Sequence, residues 1–244
     1  YMFSWHGNAD LIVAIIKLFE DLKNADNDIL GVGVQSILLV EDSVRYYSTY
    51  LPELYRMVLR QSAEFLKETL NEQQRKHMKR SRPKILLATN LDDAMAMYEK
   101  YKSNLLGVIS DVGFCEHRGG KPEEEKLDAG IELVRHIKAD DPKMPILLQS
   151  SQDCISAVAE ELGVGFLRKY SKTLMIQLYE YIKEEFAFGD FIFRDADRVE
   201  YGRAANLKEL EILMREVPED ILLANTSKNM LSKWFMARGL FTLG

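Results

Sequence analysis

Four short apolar runs punctuate the chain, with a helical pattern between each and the next: ILLVEDS (Ile37–Ser43), LLGVISDVG (Leu105–Gly113), PILLQSS (Pro145–Ser151) and GFLRK (Gly165–Lys169). Continuous apolar stretches of this length, bounded by polar residues, read as strands buried on both faces. Alternation with helices makes them parallel. Parallel strands bring their carboxyl ends to one edge of the sheet, where open α/β folds build their sites. Each run ends in polar residues, so Glu41, Asp42, Asp111, Ser150 and Lys169 are expected in one pocket.

Lys84–Ala88 supplies a second strand in chain order, giving five, and Asp92–Lys102, Gly130–Ala139, Cys154–Leu162 and Thr173–Phe186 supply helices. After Ser43 a helical pattern runs to about Arg80, with Pro52 marking a kink or first turn. The polar, acidic stretch Phe114–Ala129 reads as a flexible loop on the site edge. Ahead of the sheet, Asn8 can cap a helix over Ala9–Lys23 that is apolar on most of its circumference, and Asn24–Gly33 reads as a linker. From Phe188 a hairpin (Phe191–Arg194 with Val199–Ala204) and three short helices, one begun by Pro218 and one carrying Trp234, form a small unit that leans on its neighbours for stability. The expected divisions are residues 1–33, 34–187 and 188–244.

Composition narrows the function classes. A net charge of −6 argues against nucleic acid as a partner. The basic run Arg75–Arg82 reads as a solvated helix end complementing the helix dipole. Leu11–Leu22 is too short and too charged to span a bilayer. Two cysteines give no disulfide framework, and no signal peptide is visible, so the cytoplasm is the default. A first residue of Tyr1 suggests a piece excised from a longer protein. Cys115, His117 and Cys154 lack a paired zinc spacing. Cys115 and Cys154 both follow strand ends, which leaves a redox pairing open if they lie within disulfide reach. None of His6, His77, His117 or His136 has the surroundings of a phosphotransfer helix. Gly31-Val32-Gly33 precedes a strand, so it is no dinucleotide fingerprint, and no P-loop or nucleophile elbow occurs.

The predicted pocket suits phosphoryl chemistry. Mg²⁺ takes a few oxygen ligands and keeps several waters. Asp42 and Asp111 offer carboxylates, Gly113 a backbone carbonyl, and Glu41 a hold on a metal-bound water. An aspartate can act as nucleophile toward phosphorus. Lys169 adds a mobile point charge, and the Ser150 hydroxyl can donate to a phosphoryl oxygen.

These residues, in this order, resemble the receiver domain of two-component response regulators. Such a domain has an acidic pair after strand one, a phosphoacceptor aspartate after strand three, Ser or Thr after strand four and Lys after strand five. The resemblance implies a flavodoxin-like doubly wound sheet of order 2-1-3-4-5 over about residues 36 to 186, with Asp111 as phosphoacceptor and Mg²⁺ as cofactor. It implies Phe166 as the switch aromatic, and Gly130-Ile131-Glu132-Leu133 matches the helix that follows the phosphoacceptor loop. It also implies a histidine kinase or small phosphodonor as partner, and an output or dimer face on the fourth helix, fifth strand and fifth helix. Such a module is regulatory, not an enzyme. The alternative is a pseudo-receiver that keeps the fold as an interaction scaffold. An aspartyl-phosphate hydrolase is disfavoured, because Glu41-Asp42-Ser43 is not Asp-x-Asp. Two features depart from the receiver pattern: Tyr170 stands where receivers carry proline, and the loop after Asp111 is longer.

The flanking segments VEDSVRYYSTYLPELY, FGDFIFR and SKNMLSKWFMARG resemble the amino-terminal region of large bacterial proteins, chiefly from Bacteroidetes, that join receiver-like domains to a phosphoenolpyruvate-synthase-like part. That resemblance makes Tyr1–Trp5 and the helix after it the last strand and helix of a preceding receiver-like domain. It also implies attached downstream domains as the output.

Overall fold

A computed structural model describes residues 1–5, 7–65, 81–120, 122–197, 199–226 and 230–240. Its centre is a five-stranded parallel sheet formed by β1 (Ser36–Val40), β2 (Lys84–Ala88), β3 (Leu105–Asp111), β6 (Ile146–Ser150) and β7 (Gly165–Arg168). Two further two-residue strands, β4 (Phe114–Cys115) and β5 (Glu125–Lys126), pair separately. The sheet order is β2-β1-β3-β6-β7. Counted over the sheet strands alone this is 2-1-3-4-5, the flavodoxin-like doubly wound arrangement, whose crevice opens at the carboxyl ends of the strands.

Alternation along each strand sorts the core into two layers. Ile37 and Leu39 of β1, with Ile85, Leu87, Ile109 and Leu147, face α1 (Asp10–Ala25), α2 (Val44–Phe65) and α6 (Leu174–Glu185). Leu38 and Val40, with Leu86, Ala88, Val108 and Leu148, face α3 (Leu91–Tyr101), α4 (Ala129–Asp140) and α5 (Ile155–Glu161). Asn90 starts α3 by accepting the Asp93 backbone N–H at 2.8 Å.

Several expectations need correction. Tyr1–Trp5 forms no strand. Asn24–Gly33 is not an irregular linker, because α1 passes directly into a π-helical turn, Asp26–Gly31, around the buried Ile29. The helix α1 is tied to this sheet by Asp21. This fully buried carboxylate accepts from the Tyr55 hydroxyl (2.8 Å), the Ile85 backbone N–H (3.1 Å) and both terminal nitrogens of Arg82. Arg82 is therefore no solvated helix end but a buried cation with a matched anion, while the remainder of the basic run up to residue 80 lies outside the described residues. Pro52 sits inside α2 instead of in its first turn.

The Phe114–Ala129 stretch is not an irregular loop either. Phe114 is fully buried, and its strand β4 pairs antiparallel with β5. Burying one aromatic side chain ties that end of the insertion to the sheet domain.

Beyond Phe188, the β8 (Phe191–Arg194) and β9 (Glu200–Ala204) hairpin packs with α7 (Leu207–Glu216), α8 (Glu219–Thr226) and α9 (Met230–Ala237) around Phe193 and Trp234. Trp234 Nε1 donates to the Gly189 carbonyl at 3.0 Å. Phe188 and Ala237 belong to the core of the sheet's first layer, so this unit is packed onto the sheet domain. Among the described residues, no helix is long and apolar enough to cross a membrane.

Candidate functional site

The strand ends meet as the sequence predicts. Glu41 and Asp42 follow β1, Asp111 closes β3, Ser150 closes β6 and Lys169 follows β7. The Lys169 ammonium donates to Asp111 Oδ2 at 2.5 Å and to Glu41 Oε2 at 2.8 Å. One carboxylate oxygen from each of Glu41, Asp42 and Asp111 falls within a 4.8 Å cluster. Glu41 and Lys169 are buried, whereas Asp42 and Asp111 are half-buried, so the acidic side of the pocket is the side open to solvent.

Backbone groups fix the carboxylates. Glu41 Oε1 accepts from the Ser43 N–H at 3.2 Å, and Asp111 Oδ1 accepts from the Val112 N–H at 2.7 Å. Gly130 lets the first turn of α4 lie against the end of β3. A Cβ there would stand 2.1 Å from the Asp111 carbonyl oxygen, and its N–H donates to Val112 O at 2.8 Å.

Three carboxylates facing one ammonium leave excess negative charge. Burial, then the neighbouring Asp111, pushes the Glu41 carboxyl above its ordinary range against the pull of Lys169. Burial, then Asp111 and Glu125, raises Asp42 to about 6. Burial favours the neutral amine of Lys169, but Glu41 and Asp111 outweigh it and hold its pKa above the ordinary lysine value.

Ser150 Oγ accepts from the Gln152 N–H at 3.1 Å, an acceptor role that leaves its O–H to donate elsewhere. Phe166 lies on β7, partly buried against the second core layer. Tyr170, with no proline at its position, has φ +68° and is 71% exposed, so it does not plug the pocket.

Two neighbours of the site escape sequence reasoning. A Cβ on Gly113 would meet Glu125 Oε1 at 2.5 Å, so the insertion lays a fourth carboxylate beside the Asp111 loop. The only sequence signal was the acidic run Glu123–Glu125, which carries no register. The second is Tyr46 in the first turns of α2, whose ring centroid lies 4.2 Å from Lys169 Nζ. Its signal, the cluster Tyr46, Tyr47 and Tyr50, reads equally as core.

The described cysteines and histidines are not part of the Glu41, Asp42 and Asp111 cluster, though Cys115 lies near enough to Asp42 to feel its charge. Cys115 is buried, which raises its thiol pKa, and Cys154 is exposed. His117 and His136 form surface pairs with Asp92 and Glu99, each at 2.7 Å. His6 and His77 lie outside the described residues.

The donor set fits a hard divalent cation. All three clustered ligands are carboxylate oxygens, and the raised pKa values of Glu41 and Asp42 mark a charge surplus that such an ion relieves.

The chain matches no family model and no curated protein. Among solved structures it is similar to a response regulator receiver domain protein from Clostridium thermocellum, at 19% identity and TM-score 0.40 over 62% of this chain and 94% of that one. It is similar to a putative response regulator from Chloroflexus aurantiacus, at 18% identity and TM-score 0.40 over 63% and 98%. The receiver domain of NtrX from Brucella abortus has 21% identity and TM-score 0.36 over 61% and 99%.

Proposed function

We propose that this chain is a receiver module of a signalling protein, in which Asp111 accepts a phosphoryl group with Mg²⁺ as cofactor. The observation that carries the reading is the position of Lys169, bonded to both Asp111 and Glu41 on the buried side of an acidic cluster. Asp42 and Asp111, with Glu41 and the Gly113 carbonyl, would hold the ion. When bound, Mg²⁺ offsets the repulsion between an anionic aspartate and an anionic phosphoryl group. A carboxylate oxygen of Asp111 forms the new bond to phosphorus as the donor's P–N or P–O bond breaks. Lys169 follows the transferred charge, and the Ser150 hydroxyl turns to a phosphoryl oxygen. Phe166, one residue from the buried Leu167, registers that movement on the output side.

The donor is a histidine kinase or a small acyl phosphate, and the setting is the cytoplasm. The face formed by α5, β7 and α6 carries the output or a dimer contact. The flank resemblance points to an attached phosphoenolpyruvate-synthase-like part as the regulated output.

Beryllofluoride with Mg²⁺ tests the reading, because it mimics an aspartyl phosphate. Binding should require the metal and should vanish in Asp111→Asn. If the wild-type protein binds none and Asp111→Asn alters no property, the chain is a pseudo-receiver scaffold instead.

A further inference from the structure

We propose that Tyr46 is a positioning residue for Lys169, and that its ring conveys the state of the acidic pocket to the exposed Tyr170, creating a readout face at the start of α2. The proposal rests on the phosphoacceptor reading above and adds a regulatory route to that same site.

Lysine places a compact charge on a flexible four-carbon stem, so its direction must come from its surroundings. Asp111 and Glu41 hold the Lys169 ammonium on two sides. The Tyr46 ring supplies a third, with Nζ 4.2 Å from the centroid, well within cation–π range. That ring is itself held in place. It stacks on Tyr50 at 6.0 Å with an interplanar angle of 23°, and Tyr50 is only 1% exposed.

The other neighbour of Tyr46 is the residue that follows Lys169 in the chain. Tyr170 meets the Tyr46 ring edge-on at 5.8 Å and 68°. Its left-handed φ of +68° is one that side-chain-bearing residues rarely adopt. Lys169 and Tyr170 thus contact one ring through consecutive residues, the first by its charge and the second by its edge. A shift of the ammonium toward a phosphoryl oxygen on Asp111 changes what holds Tyr46 in place. Tyr170, 71% exposed, carries that change to the surface.

The route is distinct from the one through Phe166. Tyr46 packs on the layer that contains α1, α2 and α6, whereas Phe166 packs on the opposite layer of the sheet.

The test uses Tyr46→Phe and Tyr46→Leu in the full chain, with thermal melts to confirm that both fold. In the wild type and in Tyr46→Phe, the Lys169 side-chain methylene protons should show an upfield ring-current shift by NMR; Tyr46→Leu should lose it. With acetyl phosphate and Mg²⁺, Tyr46→Leu should be phosphorylated about thirty-fold more slowly, the size expected of one desolvated cation–π contact, and Tyr46→Phe should restore the rate. A Tyr170→Trp reporter should change its fluorescence on adding beryllofluoride with Mg²⁺, and stay silent when combined with Tyr46→Leu.

Three results each overturn the proposal: no ring-current shift in the wild type, Tyr46→Leu phosphorylated at the wild-type rate, or a fluorescence change of the Tyr170→Trp reporter that persists when Tyr46→Leu has removed the aromatic ring. Failure of the wild type to bind beryllofluoride while the ring-current shift is present overturns the phosphoacceptor reading, and the relay with it, but leaves Tyr46 as the residue that places Lys169.

Discussion

Lys169 Nζ lies 2.8 Å from Glu41 Oε2, across 128 residues of chain, and both groups are almost wholly buried. Removing one partner of such a pair leaves the other charge desolvated and unmatched. Lys169→Met should therefore lower stability by about 3 kcal/mol in urea denaturation without metal. Mg²⁺ should recover part of that loss by neutralising the same carboxylates. An unchanged midpoint in metal-free buffer would show that the pocket carries no such charge strain.

Asp42 gives a pH dependence with a definite sign. Its carboxyl ordinarily titrates near 3.8, and the fold raises it to about 6. A group whose pKa is raised on folding contributes stability that is fully present below the unfolded value and is lost as pH rises through the folded one. In EDTA, the melting temperature should fall between about pH 4 and pH 6, and saturating Mg²⁺ should flatten that slope. Melts across this window, with Asp42→Asn as the reference, check both parts.

Asp21 anchors α1 through Tyr55, Arg82 and the Ile85 amide. Asp21→Ala would leave Arg82 buried and without its anion, and should cost about 3 to 5 kcal/mol by chemical denaturation. Replacing Asp21 and Arg82 together by apolar residues should cost much less than the sum of the single changes, which a double-mutant cycle reads directly. Additive losses would mean that the two residues act independently.

Gly130→Ala places a methyl group 2.1 Å from the Asp111 carbonyl oxygen and 2.9 Å from Val112 Cα. Both are backbone atoms, so the start of α4 must move away from the end of β3. A loss of about 2 kcal/mol or more is expected, with weaker beryllofluoride binding, since Val112 and Asp111 shift together. Calorimetry with and without the ligand separates the two effects.

Much of the fold was legible because local and global signals agree. The run Ile37–Val40 is apolar at every position, and the structure buries it on both faces. The end of each run then placed Glu41, Asp42, Asp111, Ser150 and Lys169 on one edge without any need for side-chain detail. What escaped depended on contacts between distant segments. Arg82 looks like the end of a basic run until Asp21, 61 residues earlier, is brought against it. Asn24–Gly33 looks like a linker because a polar, glycine-containing stretch has no helical period, yet burial of Ile29 holds it in a π-helical turn. Glu125 reaches Gly113 only because Phe114 is buried and β4 pairs with β5, a pairing that no two-residue strand announces.

The strand that delivers Lys169 is also the least secured in the sheet. β7 has four residues, lies at an edge, pairs among the described residues with β6 alone, and leaves Gly165, Phe166 and Arg168 at least partly open to solvent. Short, exposed edges open by local fluctuations that cost less than global unfolding. The cation that balances the acidic cluster therefore directly follows the shortest strand of the sheet, so transient fraying there would unmask the carboxylates while the other four strands stay paired.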